Sequence, residues 1–532
     1  MNKVAAYLQG HLSGVASTRI DERIKHSRDQ GILDIKPEMV VYPRNTNDVR
    51  KVMRFSWQLA EKGHALVVSS RGEGLDNTGA SSGKGIALVT AKYLNQIFEY
   101  EPKQKLVRLQ PGVLAVTLHD ALKLHGSDIP ALPKSGTVGG AVANDADTRL
   151  SDKYGSMRDA VDKLEVILAS GEVIQTGRIS KRELEKRKGI QGREGDIYRG
   201  VSAILEDHSE FIKELREANS VDRSGYSGIV NVEGRGGSFD LTPLFLGSQG
   251  SLGVIVEMIL RAEFMPMHPS HAAIVFSDGE AARDTLDELR KLNPDYLEYY
   301  DGSILLSALE QGKQYAFLGD KIDGTKAVVL IGFNSFNERV RKKQLKKAIK
   351  LIEKQSSGQI ITNEEIDPDQ LESLADLPEF TLKPTDHTDR GAWQLIPGCY
   401  IPVERFEEFL NDLRDIETKL HLSLPIYGSA LRSIYTIAPT LSLQKVSDKQ
   451  KALKIIDAVS AVVSKHNGSL VARNGEGRLL SRYVRATWSD EYAEVVDKLR
   501  AVFDPHKTLN AGVKSEVELK DLVANLRSDN NL

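Results

Sequence analysis

Residues Val67–Ala80 read VVSSRGEGLDNTGA. Apolar residues that read as a buried strand give way to two serines, an arginine, and glycines at 72, 74 and 79. A loop with so little side chain leaves its backbone open to close approach, because glycine lacks a Cβ and tolerates positive φ. Successive bare N–H groups in such a loop form a concavity that attracts an anion, often a phosphate. A tight turn uses the same residues. The spacing is neither Gly-x-x-x-x-Gly-Lys-Ser/Thr nor a Gly-x-Gly-x-x-Gly opening a helix. The surroundings must decide.

Upstream, residues 40–48 (VVYPRNTND) read as a short strand, a proline and a helix cap, and VRKVMRFSWQLAEKG as a helix closed by Gly63. Downstream come the strand GIALVT, the strand KLVRLQPGV ending in Pro-Gly, and a helix over VTLHDALKLHG. A second glycine-rich stretch follows, PALPKSGTVGGAVANDADTRLSDKYGSMRDAV (130–161), then KLEVILASGEVIQTG, two strands about an Ala-Ser-Gly turn. This alternation predicts a mixed α+β domain with two loops built to approach a ligand. The charged run KRELEKRKGIQGRE (181–194) reads as a solvated helix or loop. A third glycine loop lies in DLTPLFLGSQGSLGVIVEMILRAEF (240–264) and runs into a long β-branched strand. From about residue 268 two βαβ-type sets follow one another, which predicts a ferredoxin-like α+β sheet, single or duplicated. The chain closes with the helix SDEYAEVVDKLRAVF, then DPHKTLNAGVK, and a polar tail expected to fray.

The 532 residues allow two to four domains. Seventy-one basic side chains against 74 acidic ones give a net charge of −3, which disfavours nucleic-acid binding through a basic surface. The one cysteine, Cys399, excludes an intrachain disulfide and a cysteine-rich metal site. The N-terminal MNKVAAYLQGHLSGVASTRIDE has no apolar run of signal-peptide length. Nor does any segment approach the roughly 18 consecutive apolar residues of a membrane span. A cytoplasmic location is expected, with peripheral membrane attachment left open.

Taken in order, the loops resemble those of the FAD-linked oxidase family, the vanillyl-alcohol-oxidase or PCMH-type flavoproteins, and within it the branch of D-lactate dehydrogenases and glycolate oxidase flavoprotein subunits. RGEGLDNTG resembles that family's pyrophosphate loop, and SGTVGGAVANDADTRLSDKYGSMRDAV its second flavin segment. FLGSQGSLGVIVEMIL is similar to its Gly-Ser-Glu-Gly-Thr-Leu-Gly-Ile-Ile-Thr-Glu segment, and DPHKTLNAGVK to its Asp-Pro-x-x-x-Leu-Asn-Pro-Gly-Lys terminus. The resemblance covers roughly residues 25–515. It implies an α+β fold with a PCMH-type FAD-binding domain over 1–265, a ferredoxin-like α+β cap over 266–485, and a C-terminal helical segment over 486–532 that returns to the flavin.

The resemblance also assigns residues. Amides of Gly72, Gly74 and Gly79 would reach the pyrophosphate, with Arg71, Glu73 and Leu75 in the same loop, while Asp76 and Asn77 would hold the loop's own backbone. Pro133, Gly136, Thr137, Gly139, Gly140, Ala143, Asn144, Tyr154 and Gly155 form the second flavin segment. Gly253, Val254 and Ile255 would offer backbone to the adenine side, and Asn510 would stand near the flavin ring. Covalent attachment in this superfamily uses a histidine or cysteine in or near the first two loops. RGEGLDNTG has neither, and His119 and His125 read as lying on an ordinary surface helix. Noncovalent FAD is therefore expected.

The cap departs from the family's pattern. A Gly-His-x-Gly-Asp-Gly-Asn-x-His segment that binds a divalent metal aligns with GSALRSIY, placing Ser429 and Tyr435 where the histidines fall. The later Gly-Glu-His-Gly-Ile-Gly segment aligns with ARNGEGR, so that Arg473 replaces the acid and Asn474 the histidine. Guanidinium has no lone pair to give a metal. No metal site is therefore expected. Arg432 and Arg473 become candidates to orient an anionic substrate, because a guanidinium pairs bidentately with a carboxylate. Surface pairing with an acid such as Glu476 is the plain alternative. Tyr400, Tyr435 and Glu476 are candidates to take a proton, which Asn474 cannot do.

The expected function is an FAD-dependent dehydrogenase or oxidase moving a hydride from a 2-hydroxy acid or similar alcohol to the cofactor, with the electron acceptor unassigned. The alternative is a flavin-binding protein with a degenerate, non-catalytic cap. A nucleotide-sugar reductase of the related fold fits less well, given the long cap and the terminal asparagine segment.

Overall fold

The computed structural model describes all residues except 75, 267–268, 314, 316–323, 356–357, 363–367, 376, 378–388 and 530–532. Strands Met39–Tyr42, Ile86–Val89 and Val68–Arg71 lie side by side in that order and are parallel. The central strand is buried along its whole length, as a parallel strand covered on both faces must be. The helix Thr46–Glu61 makes the crossover, its start fixed by the Asn45 side chain accepting from the Asp48 N–H at 3.0 Å. The first glycine loop leaves the carboxyl end of Val68–Arg71, the end at which open α/β sheets hold ligands. Beyond Val68 the C-terminal segment adds a further parallel rung: Val68 N–H donates to the Thr508 carbonyl at 2.7 Å, and Asn510 N–H to the Val68 carbonyl at 2.9 Å.

The next sheet is antiparallel, in the order Ile97–Glu101, Leu106–Leu109, Val254–Arg261, Val161–Ile167, Val173–Gln175. The helix Asp490–Phe503 buries Val495, Val496, Leu499 and Phe503 in the core of this unit, although the whole cap intervenes in sequence.

The cap is one seven-stranded antiparallel sheet holding two ferredoxin-like halves. The first half runs Gln359–Thr362, Ser270–Phe276, Ala327–Phe333, Tyr296–Asp301. The second runs Ile426–Ser429, Ile434–Ile437, Ile396–Tyr400, with Ser469 bridged to Tyr400 as the fourth position. The halves meet where Glu298 pairs with Ser429. Helices Gly279–Arg290, Glu338–Gln355, Phe406–Leu420 and Val446–Lys465 bury their apolar stripes on one face of this sheet. The other face carries Glu298, Ser429 and Thr436.

Two expectations are corrected. Through Asp529 the tail is tied down: Leu519–Ala524 is helical, Arg527 N–H donates to the Ile32 carbonyl at 2.9 Å, and Asp529 pairs with Arg28 at 2.7 Å. His119 is not a surface residue. It is buried and paired with Asp128, which the helical spacing alone did not reveal. Among the described residues no helix is long and apolar enough to cross a membrane.

Three distant segments meet at one fully buried ion pair. Lys514 Nζ stands 2.6 Å from Glu476 Oε2, and the Gly225 N–H donates to Glu476 Oε1 at 2.9 Å. Breaking a buried pair by removing one partner strands the other charge, at a cost of about 3–5 kcal/mol. Lys514→Met is therefore expected to lower the thermal unfolding transition sharply. The double variant with Glu476→Gln should recover part of that loss, since a neutral amide needs no counter-ion. A double variant no more stable than Lys514→Met would show that the charge is not what matters here.

Candidate active site

Two grooves meet at the junction of the loops. Arg71, Gly72, Asp76, Gly140 and Asn144 line both; Gly139, Ala143, Gly253 and Ile255 line the first. Glu73, Gly74, Asn77, Pro133, Gly136 and Thr137 line the second, joined there by Arg473 and Asn474 from the cap. Three loops far apart in sequence thus share one concavity.

The glycines serve different ends. A Cβ at Gly72 would stand 1.9 Å from Thr137 Oγ1, and one at Gly139 would stand 2.5 Å from Pro111 Cβ. Both positions exist for loop-on-loop packing. Gly79 has φ +76° and would meet Leu33 Cδ1 at 2.6 Å, so it turns the chain and lines neither groove. At Gly74 the nearest neighbour is Gly136 Cα at 3.8 Å, which leaves its backbone bare in the groove.

Donors converge on that space. The N–H groups of Gly72, Glu73, Gly74 and Gly140 have no acceptor among the described residues. Ser135 Oγ, Thr137 Oγ1 and Arg71 Nε are buried there without a hydrogen-bond partner. Buried donors left unpaired are costly, so the groove is built to receive an acceptor-rich anionic group. Arg71 also spans outward, its two terminal nitrogens donating to the carbonyls of His26 and Arg28 at 2.7 Å each.

Asp76 holds the first loop's own backbone, accepting from Thr78 N–H at 3.0 Å and Ser81 N–H at 2.8 Å. Asn77 does otherwise, donating across to Gln394 of the cap at 3.1 Å. Asp29, from the N-terminal segment, accepts from Gly79 N–H at 2.6 Å and Gly31 N–H at 2.8 Å. Burial, and next the neighbouring Asp76, push its carboxyl up to about 7.

Several predicted residues support the grooves from outside. The Asn510 side chain is spent on the carbonyls of Ala80 and Gln249, at 2.8 and 2.6 Å, and on Arg478 at 2.8 Å. Val254 points into the core and its backbone belongs to the sheet, paired with Ile167. Gly155 has φ +80° ahead of a Ser156–Asp159 capping box, and neither it nor Tyr154 lines a groove. Leu75 lies outside the described residues. Two residues that motif reading missed hold the loops together. Gln249 donates to Asn144 Oδ1 and to the Asn474 carbonyl, at 3.0 and 3.2 Å, and accepts from Gly477 N–H at 2.9 Å. Arg478 donates to the carbonyls of Gly79 and Ala511 at 2.6 and 2.7 Å.

On the cap side, Arg432 and Arg473 converge on Asp147, from the loop that follows the helix Val138–Asn144 within the second flavin segment. Arg432 Nη1 is hydrogen-bonded to Asp147 Oδ2, and Arg473 Nη1 lies 3.6 Å from Oδ1. Arg473 also donates to the Pro397 carbonyl at 2.9 Å and to Thr436 Oγ1 at 2.6 Å. Their shared acid is therefore buried Asp147 and not a surface residue; Glu476 is instead locked to Lys514. Tyr435 is not brought to the site: strand alternation turns it to the helical face, where its ring stacks on Phe406 at 4.5 Å. Tyr400 lines neither groove. Glu298 was missed altogether. It is buried, faces Arg473 and Arg149, and burial pushes its carboxyl up to about 7, with the two guanidiniums opposing.

Comparison with known proteins agrees with this arrangement. Residues 37–177 match the FAD binding domain family, and 265–513 match the family described as FAD linked oxidases, C-terminal domain. A D-2-hydroxyglutarate dehydrogenase of Pseudomonas putida is 25% identical over 506 residues, 91% of this chain and 49% of that protein. The chain spans about half the length of several D-2-hydroxyglutarate dehydrogenases that it matches. The glycolate oxidase subunit GlcD of Bacillus subtilis is 24% identical, with 90% of this chain and 88% of that protein aligned. Among solved structures, 4-ethylphenol oxidase from Gulosibacter chungangensis superposes with a TM-score of 0.68 at 16% identity, covering 98% of both chains. p-Cresol methylhydroxylase gives 0.67 at 13% identity over 96% of both. The chain thus carries an FAD binding domain and an FAD-linked oxidase C-terminal domain, has the PCMH-type fold, and its cofactor is FAD.

Gly72→Ala is expected to lower the flavin-to-protein absorbance ratio of the purified protein severalfold, because the new methyl meets Thr137. Adding Thr137→Gly, which clears that space, should restore part of the flavin. Full flavin content in Gly72→Ala alone would show that the two loops part without consequence for the cofactor.

Proposed function

We propose that this FAD-linked oxidase removes a hydride from the carbinol carbon of a 2-hydroxy acid or similar alcohol, with FAD held noncovalently and no divalent metal taking part. The observation that carries the reading is the pair Arg432 and Arg473 on Asp147, beside the groove lined by the glycine loops. Two guanidiniums against one carboxylate leave a net positive charge. Arg473 is only loosely engaged with Asp147, so a substrate carboxylate competes for it with a hydrogen bond to a charged group. The relatives named for D-2-hydroxyglutarate, glycolate and D-lactate act on molecules of this kind.

The chain's residues divide the work. Gly74 and the unpaired N–H groups around it, with Thr137 and Arg71, would hold the phosphates of FAD, whose bound ring supplies a two-electron acceptor. Asn474 and Gln394 form the wall between that groove and the cap. Arg473, anchored by Pro397 and Thr436, orients the substrate anion. Neither Arg473 nor Asn474 offers the metal ligand found in the metal-bearing branch of the family, and guanidinium takes over the orienting role.

The same Asp147 pairing supports a second reading, in which both guanidiniums are internal structural partners and the chain binds flavin without turnover. Anaerobic titration with a panel of 2-hydroxy acids separates the two, since only the first predicts bleaching of the flavin absorbance.

Acid precipitation is expected to leave all yellow colour in the supernatant, and a chelator to leave bleaching unchanged. Colour retained in the pellet would overturn noncovalent binding; inhibition reversed by zinc or manganese would overturn metal independence. Arg473→Met removes a charge-assisted pair worth roughly 1.5–3 kcal/mol, so the concentration giving half-maximal bleaching should rise about ten- to a hundredfold. Flavin content should hold, and lysine should restore only part of the affinity. Wild-type concentration dependence in the methionine variant would exclude Arg473 from the substrate site.

A further inference from the structure

We infer that Glu298 is the residue that takes the hydroxyl proton of the substrate; this rests on the function proposed above. Glu298 lies on the cap strand Tyr296–Asp301, opposite Ser429 in register. Its neighbours Leu297 and Tyr299 turn to the helix-covered core, so alternation sends Glu298 to the other face. There it lines a small cavity with Asp147, Arg149, Ser429, Arg432 and Arg473. Asp147 and Arg473 also line the larger groove, so these two side chains join the cavity to the cofactor side. Only 2% of Glu298 is exposed, and its Oε1 has no hydrogen-bond partner. A buried acceptor without a donor is costly unless a ligand supplies one, and a substrate hydroxyl is such a donor.

The alternatives are occupied or misplaced. Tyr435 is in the core, Glu476 is bound to Lys514, Asn474 cannot hold the proton, and Asp147 is hydrogen-bonded to Arg432 through Oδ2 with Arg473 3.6 Å from Oδ1, the oxygen of Asp147 that itself lacks a hydrogen-bond partner. The groups facing Glu298 are Arg149 and Asp147 from within the second flavin segment, Arg432 from the turn after Ser429, and Arg473. Ser429 stands opposite Glu298 in register, and its hydroxyl also favours the ionised carboxylate. Burial raises the carboxyl, Arg473 and Arg149 pull it down, and it comes to rest at about 7. A general base is most effective when it titrates near the working pH.

The step balances without a further reactant. The substrate O–H bond breaks and its proton passes to Glu298 Oε1, the oxygen's electron pair forms the C=O bond, and the carbinol hydrogen leaves with its pair to FAD. The products are a 2-oxo acid, two-electron-reduced FAD and protonated Glu298. Since the base must be ionised, the rate constant for flavin reduction rises with pH through about 7 and then levels.

Anaerobic stopped-flow reduction of the flavin, with whichever 2-hydroxy acid bleaches the wild type, tests this on the FAD-loaded protein. Glu298→Gln is expected to keep full flavin and wild-type affinity for oxalate, an unreactive anion followed by its perturbation of the flavin spectrum. Reduction should slow roughly a hundred- to ten-thousandfold, with the limb near neutral pH gone. Glu298→Asp should retain a limb at reduced rate, and it serves if the glutamine variant does not fold. Independently of turnover, infrared difference spectra between acid and alkaline pH should show a protonated-carboxyl band that titrates near neutrality in the wild type and is missing from Glu298→Gln. Wild-type reduction kinetics in Glu298→Gln, loss of the limb in Asp147→Asn alone, or no such band would each overturn the assignment. A wild type that no hydroxy acid bleaches would sink the proposed function instead, and the infrared band would still decide whether Glu298 exchanges a proton near neutrality.

Discussion

One guanidinium holds the cofactor side of this molecule in shape. Arg478 is enclosed by protein and donates to the carbonyls of Gly79, Ala80 and Ala511 and to Asn510 Oδ1. Among the described residues no carboxylate is bonded to it, and burial lowers it to about 10. Removing such a charge from water is expensive, and four acceptors must be presented together to offset it. Those acceptors come from the first glycine loop and from the C-terminal segment, while Arg478 itself belongs to the end of the cap. Displacing any of the three leaves the guanidinium short of partners. The glycine loop is therefore held in position from outside and not by its own turn chemistry alone.

The cap obeys a different constraint. Its two ferredoxin-like halves each leave one strand edge open, and pairing Tyr296–Asp301 with Ile426–Ser429 removes both. That fusion brings Glu298 beside Ser429, although 130 residues separate them. All four long helices pack on one face; the other carries an apolar cluster under the helix Gly302–Glu310 and, beside it, the polar Glu298 and Ser429 next to Asp147 of the flavin-binding unit. Fold and site follow from the same asymmetry.

This explains what could be read from the sequence. Glycine loops were legible because their geometry demands glycine wherever they occur, and a helix cap such as Asn45 announces itself within four residues. Asp147, Glu298 and Arg478 carry no local signature. Their roles arise from neighbours such as Arg432, Arg473 and Gly79, which only the folded chain brings near. Tyr435 failed for a simpler reason: with a strand period of two, an alignment one residue out sends a side chain to the opposite face. Asn510 was named for its neighbourhood alone, and its bonds to Ala80, Gln249 and Arg478 are something that a motif match does not tell.

The return of residues 508–529 to the N-terminal unit bears on the order of events during synthesis. Val68 lacks its outer neighbour until Thr508 and Asn510 exist, and Gly79 lacks Arg478 until the cap has been made. At about 5–20 residues per second, a ribosome takes on the order of tens of seconds to travel from the first glycine loop to those positions. Throughout that interval the loop is present but unbraced. The groove for FAD is thus braced only once residues 478 and 508–511 have been made, so that cofactor capture in the braced form follows assembly of the cap.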